Sequence, residues 1–285
     1  MRPRLLPYLL VAPSVLFLAV IFFVPLLQTI ALAFTGGGSF GFTDFARMAN
    51  DFDFRPAIIN TLSLVLVVVP LQLALALAMS LMLRHIGRGR DLILWIWSIP
   101  LGISDLAAGL VWLSILTEKG YLNTILFHLG LIPHPESWLT YETPLTLFLA
   151  ILLAEIWRAT AIVFVVLVAG TQLIPLEFEE AAQVFGATAW QRLRRITVPL
   201  LRPSIQTALI LRTVLAFEAF AVVLALGGQN FPVLITQAYL WQDTNQDYGV
   251  AAAYAVLIML ITLAATFFYL VALRPRPGES PGDAR

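Results

Sequence analysis

The sequence contains no cysteine. Disulfides, thiolate metal sites and thiol catalysis are excluded with it. Charge is scarce too: Asp, Glu, Lys and Arg make up 12% of the 285 residues, about half of what a soluble domain carries. Formal net charge is zero, so the chain as a whole has no electrostatic case for binding nucleic acid. Neither G-x-x-x-x-G-K-[ST] nor H-E-x-x-H occurs, which excludes a P-loop ATPase and that class of zinc protease within these residues. His85, His128 and His134 are scattered and form no ligand set. Gly36, Gly38 and Gly41 formally satisfy G-x-G-x-x-G. They lack the strand-turn-helix context of a dinucleotide site and read as a loop.

What is abundant is apolar surface: 60% of residues are hydrophobic and mean hydropathy is +0.88. Six apolar runs cover about 9–34, 59–83, 92–116, 144–170, 200–226 and 250–273. Each reaches the roughly 20 residues that a helix needs to cross hydrocarbon. Open strands would leave backbone groups unpaired in lipid, so helix is the expected state. Pro13, Pro25, Pro70 and Pro100 lie inside these runs as tolerated kinks. Arg2 and Arg4 precede the first run, and Ala31-Leu32-Ala33 resembles a cleavage site. The run is far longer than the roughly 7–15 residues of a signal core, so it is expected to be retained as the first helix.

Arginine and lysine set the orientation. With the N-terminus inside, segments 1–8, 84–91, 171–199 and 274–285 are cytoplasmic and hold eleven basic residues, against Arg47, Arg55 and Lys119 outside. Both termini are therefore expected in the cytoplasm of a multi-pass protein. The tail 274–285, rich in Pro, Gly and charge, is expected to be disordered.

Segment 171–199 is unlike the rest of the chain. Phe178 to Ile196 reads as an amphipathic helix with Phe185, Ala189, Leu193 and Ile196 on one face. Glu177, Glu179 and Glu180 stand at its start, with Arg192, Arg194 and Arg195 at its end, an order that suits the helix dipole. Pro175 and Pro199 bracket it, and Gly186 is expected to bend it into two short helices. Physical reasoning leaves two roles open: a helix lying on the membrane surface, or a docking element for a soluble partner.

The residues Glu180-Ala181-Ala182, Gly186-Ala187, Ile196-Thr197-Val198-Pro199 and Pro203 resemble the EAA loop of the permeases of ABC importers. Phe185, Leu193 and Val198 depart from the commonest residues of that pattern, while the key spacings hold. "LPYLLVAPSVLFLAVIFFVPLLQTIALAF", "IPLGISDLAAGLVWLSILTEKGYLNTIL" with Trp112, Gly120 and Asn123, and Gly227-Gly228 followed by "DYGVAAAYAVLIML" are similar to the sugar-type permeases of maltose and glycerol-phosphate importers. The likeness leans to the maltose-type first-permease branch.

The resemblance implies an all-α integral membrane protein of the type I importer fold. It would be a single permease domain over 1–273, with six transmembrane helices and a cytoplasmic coupling helix. Glu179, Glu180, Ala181, Ala182, Gly186, Ala187, Arg192 and Pro199 would then couple to the ATPase. It also implies a bacterial or archaeal cytoplasmic membrane, a second homologous permease, a cytoplasmic ATPase dimer and an extracytoplasmic solute-binding protein. The chain itself would bind no cofactor, with ATP and Mg on the partner ATPase.

Asp105, Glu155, Arg158, Arg212 and Glu218 lie within the apolar runs. Charges there face a protein interior or a cavity. Glu155 and Arg158, at i and i+3, can pair on one helix face, and Arg212 with Glu218 is a second candidate pair across helices. Two readings stay open: these residues hold the bundle together, or they line a polar solute path with Trp157, Phe217 and Phe220 stacking on a sugar. In the resembled family the helices on either side of the EAA loop line the passage, so the substrate path is expected to include Asp105, Glu155, Trp157, Arg158, Arg212, Phe217 and Glu218. A di- or oligosaccharide is the expected cargo, with glycerol phosphate or another polar organic solute as the alternative. An ion-coupled secondary transporter using Asp105, Glu155 or Glu218 is a rival, but no inverted repeat of broken helices is seen. A membrane enzyme would need clustered catalytic groups, which the sequence does not offer.

Overall fold

The structure, a computed structural model, describes residues 6–36, 38 and 40–274. The tail from 275 onward, Arg2 and Arg4 lie outside the described residues. No strand occurs among the described residues, as the demand for internally satisfied backbone in lipid dictates. Thirteen helices are labelled here in chain order. They are α1 (Leu10–Thr35), α2 (Thr43–Ala49), α3 (Phe54–Arg84), α4 (Arg90–Ser98), α5 (Asp105–Leu116), α6 (Tyr121–His128), α7 (Pro144–Gln172) and α8 (Leu176–Val184). Then come α9 (Ala189–Leu200), α10 (Arg202–Phe217), α11 (Ala221–Gly227), α12 (Leu234–Tyr239) and α13 (Tyr248–Ala272).

Four of these, α1, α3, α7 and α13, are long and apolar enough to cross a membrane alone. Two more crossings arise if α4 with α5–α6, and α9 with α10, each count as one broken span. The helices expected over 92–116 and 200–226 are thus not continuous. The first bends by 95° between Gly102 and Asp105, and the second by 69° between Leu200 and Arg202. At the first break, Ile99–Gly102 tightens into a short turn, Ile103 is extended, and Ser104 caps α5 by accepting the Ala107 N–H. At the second, Pro199 and Pro203 supply no N–H to the ladder. A third interruption, at 218–220, separates α10 from α11.

The helix also widens by one residue per turn at Ala19–Phe23 and at Leu193–Thr197. Pro25 and Pro199 follow directly. A wide turn relieves the clash of a proline ring with the carbonyl four residues before it.

Contacts divide the chain into two compact units, Met1–Arg55 with Leu234–Leu260, and Pro56–Val233 with Ile261–Arg285. The first unit is pinned by polar groups in its loops. Asp51 Oδ2 accepts from Trp241 Nε1 at 2.8 Å and from the Tyr254 hydroxyl at 2.9 Å. Arg47 bridges buried Asp44 and Asp247. The second unit is built around α7, which is largely buried. Phe164, Leu167 and Val168 of α7 pack with Ala76 and Leu83 of α3, with Leu201 just before α10, and with Ile205 and Ala208 of α10.

Candidate substrate path and coupling segment

The second unit encloses an ion-pair network. Glu155 of α7 and Arg212 of α10 are each 1% exposed. Arg212 Nη2 donates to Glu155 Oε2 at 2.7 Å, while Arg212 Nε donates to Gln72 Oε1 of α3. Gln72 Nε2 in turn donates to the Glu155 carbonyl at 2.7 Å. Arg158 Nη2 lies 3.4 Å from both Glu155 oxygens, and its Nη1 pairs with Asp105 Oδ1 at 2.7 Å. Buried charges persist only when paired and hydrogen-bonded, and here three helices and the start of α5 supply the partners.

The network opens onto a cavity of about 150 Å³ lined in part by Pro100, Leu101, Asp105, Arg158, Arg212 and Glu218. Two guanidinium donors, Arg158 Nε and Arg212 Nη1, are buried with no hydrogen-bond partner. Asp105 is 48% exposed. Glu218 ends α10, is exposed, and its carboxylate makes no ion pair or hydrogen bond among the described residues. The cavity thus presents exposed carboxylates above buried guanidinium groups. No group of His, Asp or Glu suited to a metal ion occurs among the described residues.

Five of the seven sequence-predicted path residues come together here: Asp105, Glu155, Arg158, Arg212 and Glu218. Two do not. Phe217 is buried away from the cavity. Trp157 packs edge-to-face on Trp112, with centroids 6.1 Å apart, and lines a separate apolar space of about 350 Å³ with Leu75, Met79 and Trp97. The expected Arg212–Glu218 pair is also absent, because Arg212 turns to Glu155. Gln72 was missed. A lone amide inside an apolar run was the available signal.

The segment after α7 forms two short helices on either side of Gly186, as its position in the sequence implies. Pro175 precedes α8, whose first turn holds Glu177 and Glu179. Glu179 Oε1 lies 3.2 Å from Arg84 Nη1 at the end of α3, and Arg84 Nη2 donates to the Ile174 carbonyl at 3.0 Å. Glu180, Ala181 and Ala182 follow on α8, with Glu180 and Ala181 exposed. Gly186 breaks the helix at φ +77°, with open space where a Cβ would stand. The positive φ is what calls for glycine there. Thr188 then starts α9 with a reciprocal cap: its hydroxyl accepts the Gln191 N–H at 3.3 Å while Gln191 Oε1 accepts the Thr188 N–H at 2.8 Å.

Phe185 falls outside both helices, so the continuous apolar face expected from Phe185 to Ile196 does not form. Instead Val184 and Phe185 are 85% and 89% exposed, and Trp190 is exposed as well. Large apolar side chains thus stand out beside Glu180 and Gly186, where a soluble surface would carry polar ones. The sequence pattern places Phe185 on a helix face and singles out neither Val184 nor Trp190. Arg192 is half-buried on α9 and Pro199 lies near its end.

Comparisons with known proteins identify the family. Residues 71–276 match the family of the binding-protein-dependent transport system inner membrane component. The chain is 35% identical over 191 residues to the trehalose/maltose transport system permease protein MalF of Thermococcus litoralis, covering 65% of this chain and 62% of that protein. It is 31% identical over 270 residues to the alpha-glucoside transport system permease protein AglF of Rhizobium meliloti, covering 90% of this chain and 79% of that one. In fold it is similar to a chain of a bacterial alginate ABC transporter solved in complex with an alginate pentasaccharide-bound periplasmic protein. The TM-score is 0.82 at 23% identity, over 94% of each chain. With its apolar spans, its family match and that fold, the chain belongs to the inner membrane components of binding-protein-dependent transport systems.

Proposed function

We propose that this chain is a membrane-spanning subunit of an ABC importer and that it carries an uncharged sugar. The sugar-importer names of its relatives support the class. The charge balance of the cavity supports the narrower reading, and one observation carries it. Arg158 and Arg212, which would suit an anionic solute, are already met by Glu155 and Asp105. Glu218 then leaves three carboxylates against two guanidiniums around the space. An anion entering it meets net repulsion. A sugar hydroxyl can donate to Asp105 or Glu218, which stand at the surface of the cavity.

Both termini are cytoplasmic in this reading, and segment 171–199 faces the ATPase. Glu179, Glu180, Ala181, Ala182, Gly186, Ala187, Arg192 and Pro199 present or orient the docking surface, with Val184, Phe185 and Trp190 as its apolar contacts. ATP and Mg are bound by the partner ATPase dimer. Its closure moves α8 and α9 as rigid elements, and these lead directly into α7 and α10, which carry the cavity. A second permease completes the passage, and an external binding protein delivers the solute.

The test is uptake by the co-purified assembly in vesicles loaded with ATP. Trehalose or maltose should accumulate in an ATP-dependent way, and glycerol 3-phosphate should not. Uptake of glycerol phosphate in preference to both disaccharides would overturn the reading.

A further inference from the structure

The ends of α3, α4 and α7 enclose a second polar hollow, of about 200 Å³, lined by Arg84, Arg90, Thr171, Gln172, Ile174 and Leu176. We propose that it binds a phosphate-bearing anion, the phosphodiester of an anionic membrane lipid. This inference does not rest on the identity of the cargo.

Three observations carry it. Arg84 is 8% exposed and lines the hollow with one of its two guanidinium ends held by the Ile174 carbonyl, and its buried Nη1, 3.2 Å from Glu179 Oε1, makes that ion pair without an aligned hydrogen bond. Arg90 lines the same hollow, and its side chain makes no hydrogen bond or ion pair among the described residues. Arg90 also opens α4, a helix of nine residues whose preceding residue, Gly89, has no side chain to cap it. The first-turn amides of α4 are therefore open donors beside the guanidinium, the usual arrangement for a phosphate. The carboxylates in reach are Asp91, on the first turn of α4, and Glu179, engaged by Arg84.

The surroundings point to a lipid rather than a free phosphate. Ile174 and Leu176 line the hollow, Leu176 exposed, and Leu92, Trp95 and Ile96 stand exposed on α4, the helix that Arg90 opens. Free phosphate has no use for exposed apolar side chains beside its site, whereas acyl chains lie along them. Basic pockets between helices at a membrane face are known to hold anionic headgroups, and exposed Trp is favoured at that depth.

The experiment is native mass spectrometry of the full chain with the subunits that accompany it. The sample is taken from phosphatidylcholine nanodiscs with and without phosphatidylglycerol. Wild type should retain phosphatidylglycerol in preference to phosphatidylcholine. Arg90→Gln should retain about fivefold less, the equivalent of one basic residue at a membrane face, and Arg90→Lys should keep most of it. Inorganic phosphate is the competing arm. Failure of millimolar phosphate to displace the lipid supports the lipid source. Displacement by phosphate, with no lipid preference, keeps the anion site and overturns its lipid occupant. Equal lipid retention in wild type and Arg90→Gln, with no response to phosphate, overturns the site. Arg90 is half-buried and unpaired, and co-purification of the subunits reports that the variant is folded.

Discussion

Arg212 Nη2 meets Glu155 Oε2 at 2.7 Å between two side chains that are both sealed from solvent. Neither charge has water to fall back on. Removing Glu155 alone strands Arg212, and such losses cost about 3–5 kcal/mol. Glu155→Leu should therefore lower the thermal unfolding midpoint of the detergent-purified assembly sharply. Glu155→Leu combined with Arg212→Met, which removes both charges, should recover most of it. A single-variant loss of under about 1 kcal/mol, the range of exposed pairs, would show that the pair does not hold α7 to α10.

Gly186 sits at φ +77° with open space around it. A left-handed residue other than Gly costs about 1–2 kcal/mol, and Asn tolerates the region best. Gly186→Asn should keep uptake, while Gly186→Val and Gly186→Asp should abolish it without loss of the protein from the membrane. Glu180→Lys, on an exposed site of α8, should do the same. Normal uptake in the Val, Asp and Lys variants, read by immunoblot alongside transport, would refute the docking role.

Arg84 ties the end of α3 to Glu179 on the first turn of α8. Breaking the tie frees the segment without touching the cavity. Glu179→Gln should leave ATP hydrolysis running while uptake falls, and the exchange Arg84→Glu with Glu179→Arg should restore part of the coupling. The ratio of solute moved to ATP consumed is the measurement. An unchanged ratio in Glu179→Gln would dismiss the tie.

Asp53 lies in the loop before α3, outside the spans, and its backbone N–H donates to Asp51 Oδ1 at 3.3 Å. Burial, and then the charge of Asp51, push its carboxyl above the ordinary range. The folded state therefore holds this proton more tightly than the unfolded chain does. Its contribution favours folding at low pH and is lost as pH rises from the ordinary carboxylate range through the raised value. Asp53→Asn should unfold at a higher temperature than wild type at neutral pH, with the gain vanishing in acid. A gain independent of pH would assign the effect to something other than this proton.

Much of this was legible because lipid leaves so few choices. The spans at α1, α3, α7 and α13 needed only length and apolarity. Glu155 with Arg158 was legible because i, i+3 neighbours share a helix face. The bend before Asp105 was not, since a lone Pro100 in a membrane helix usually only kinks it. Ser104 ahead of α5 was the stronger signal, as a cap. Arg212 was hardest, because its partner lies 57 residues away on another helix. Partner choice of that kind is set by packing, which local spacing does not encode. The exposure of Phe185 and Trp190 depends in turn on where α8 stops, and one glycine decides that.

The charge cluster has depth. Gln72, Glu155 and Arg212 are closed off, while Asp105 and Glu218 stand at the surface of the cavity. In the proposed function, changing either surface carboxylate would alter what the cavity accepts and leave the Glu155–Arg212 pairing intact. On that reading, solute preference would be open to change at two positions without disturbing the inner triad that joins α3, α7 and α10.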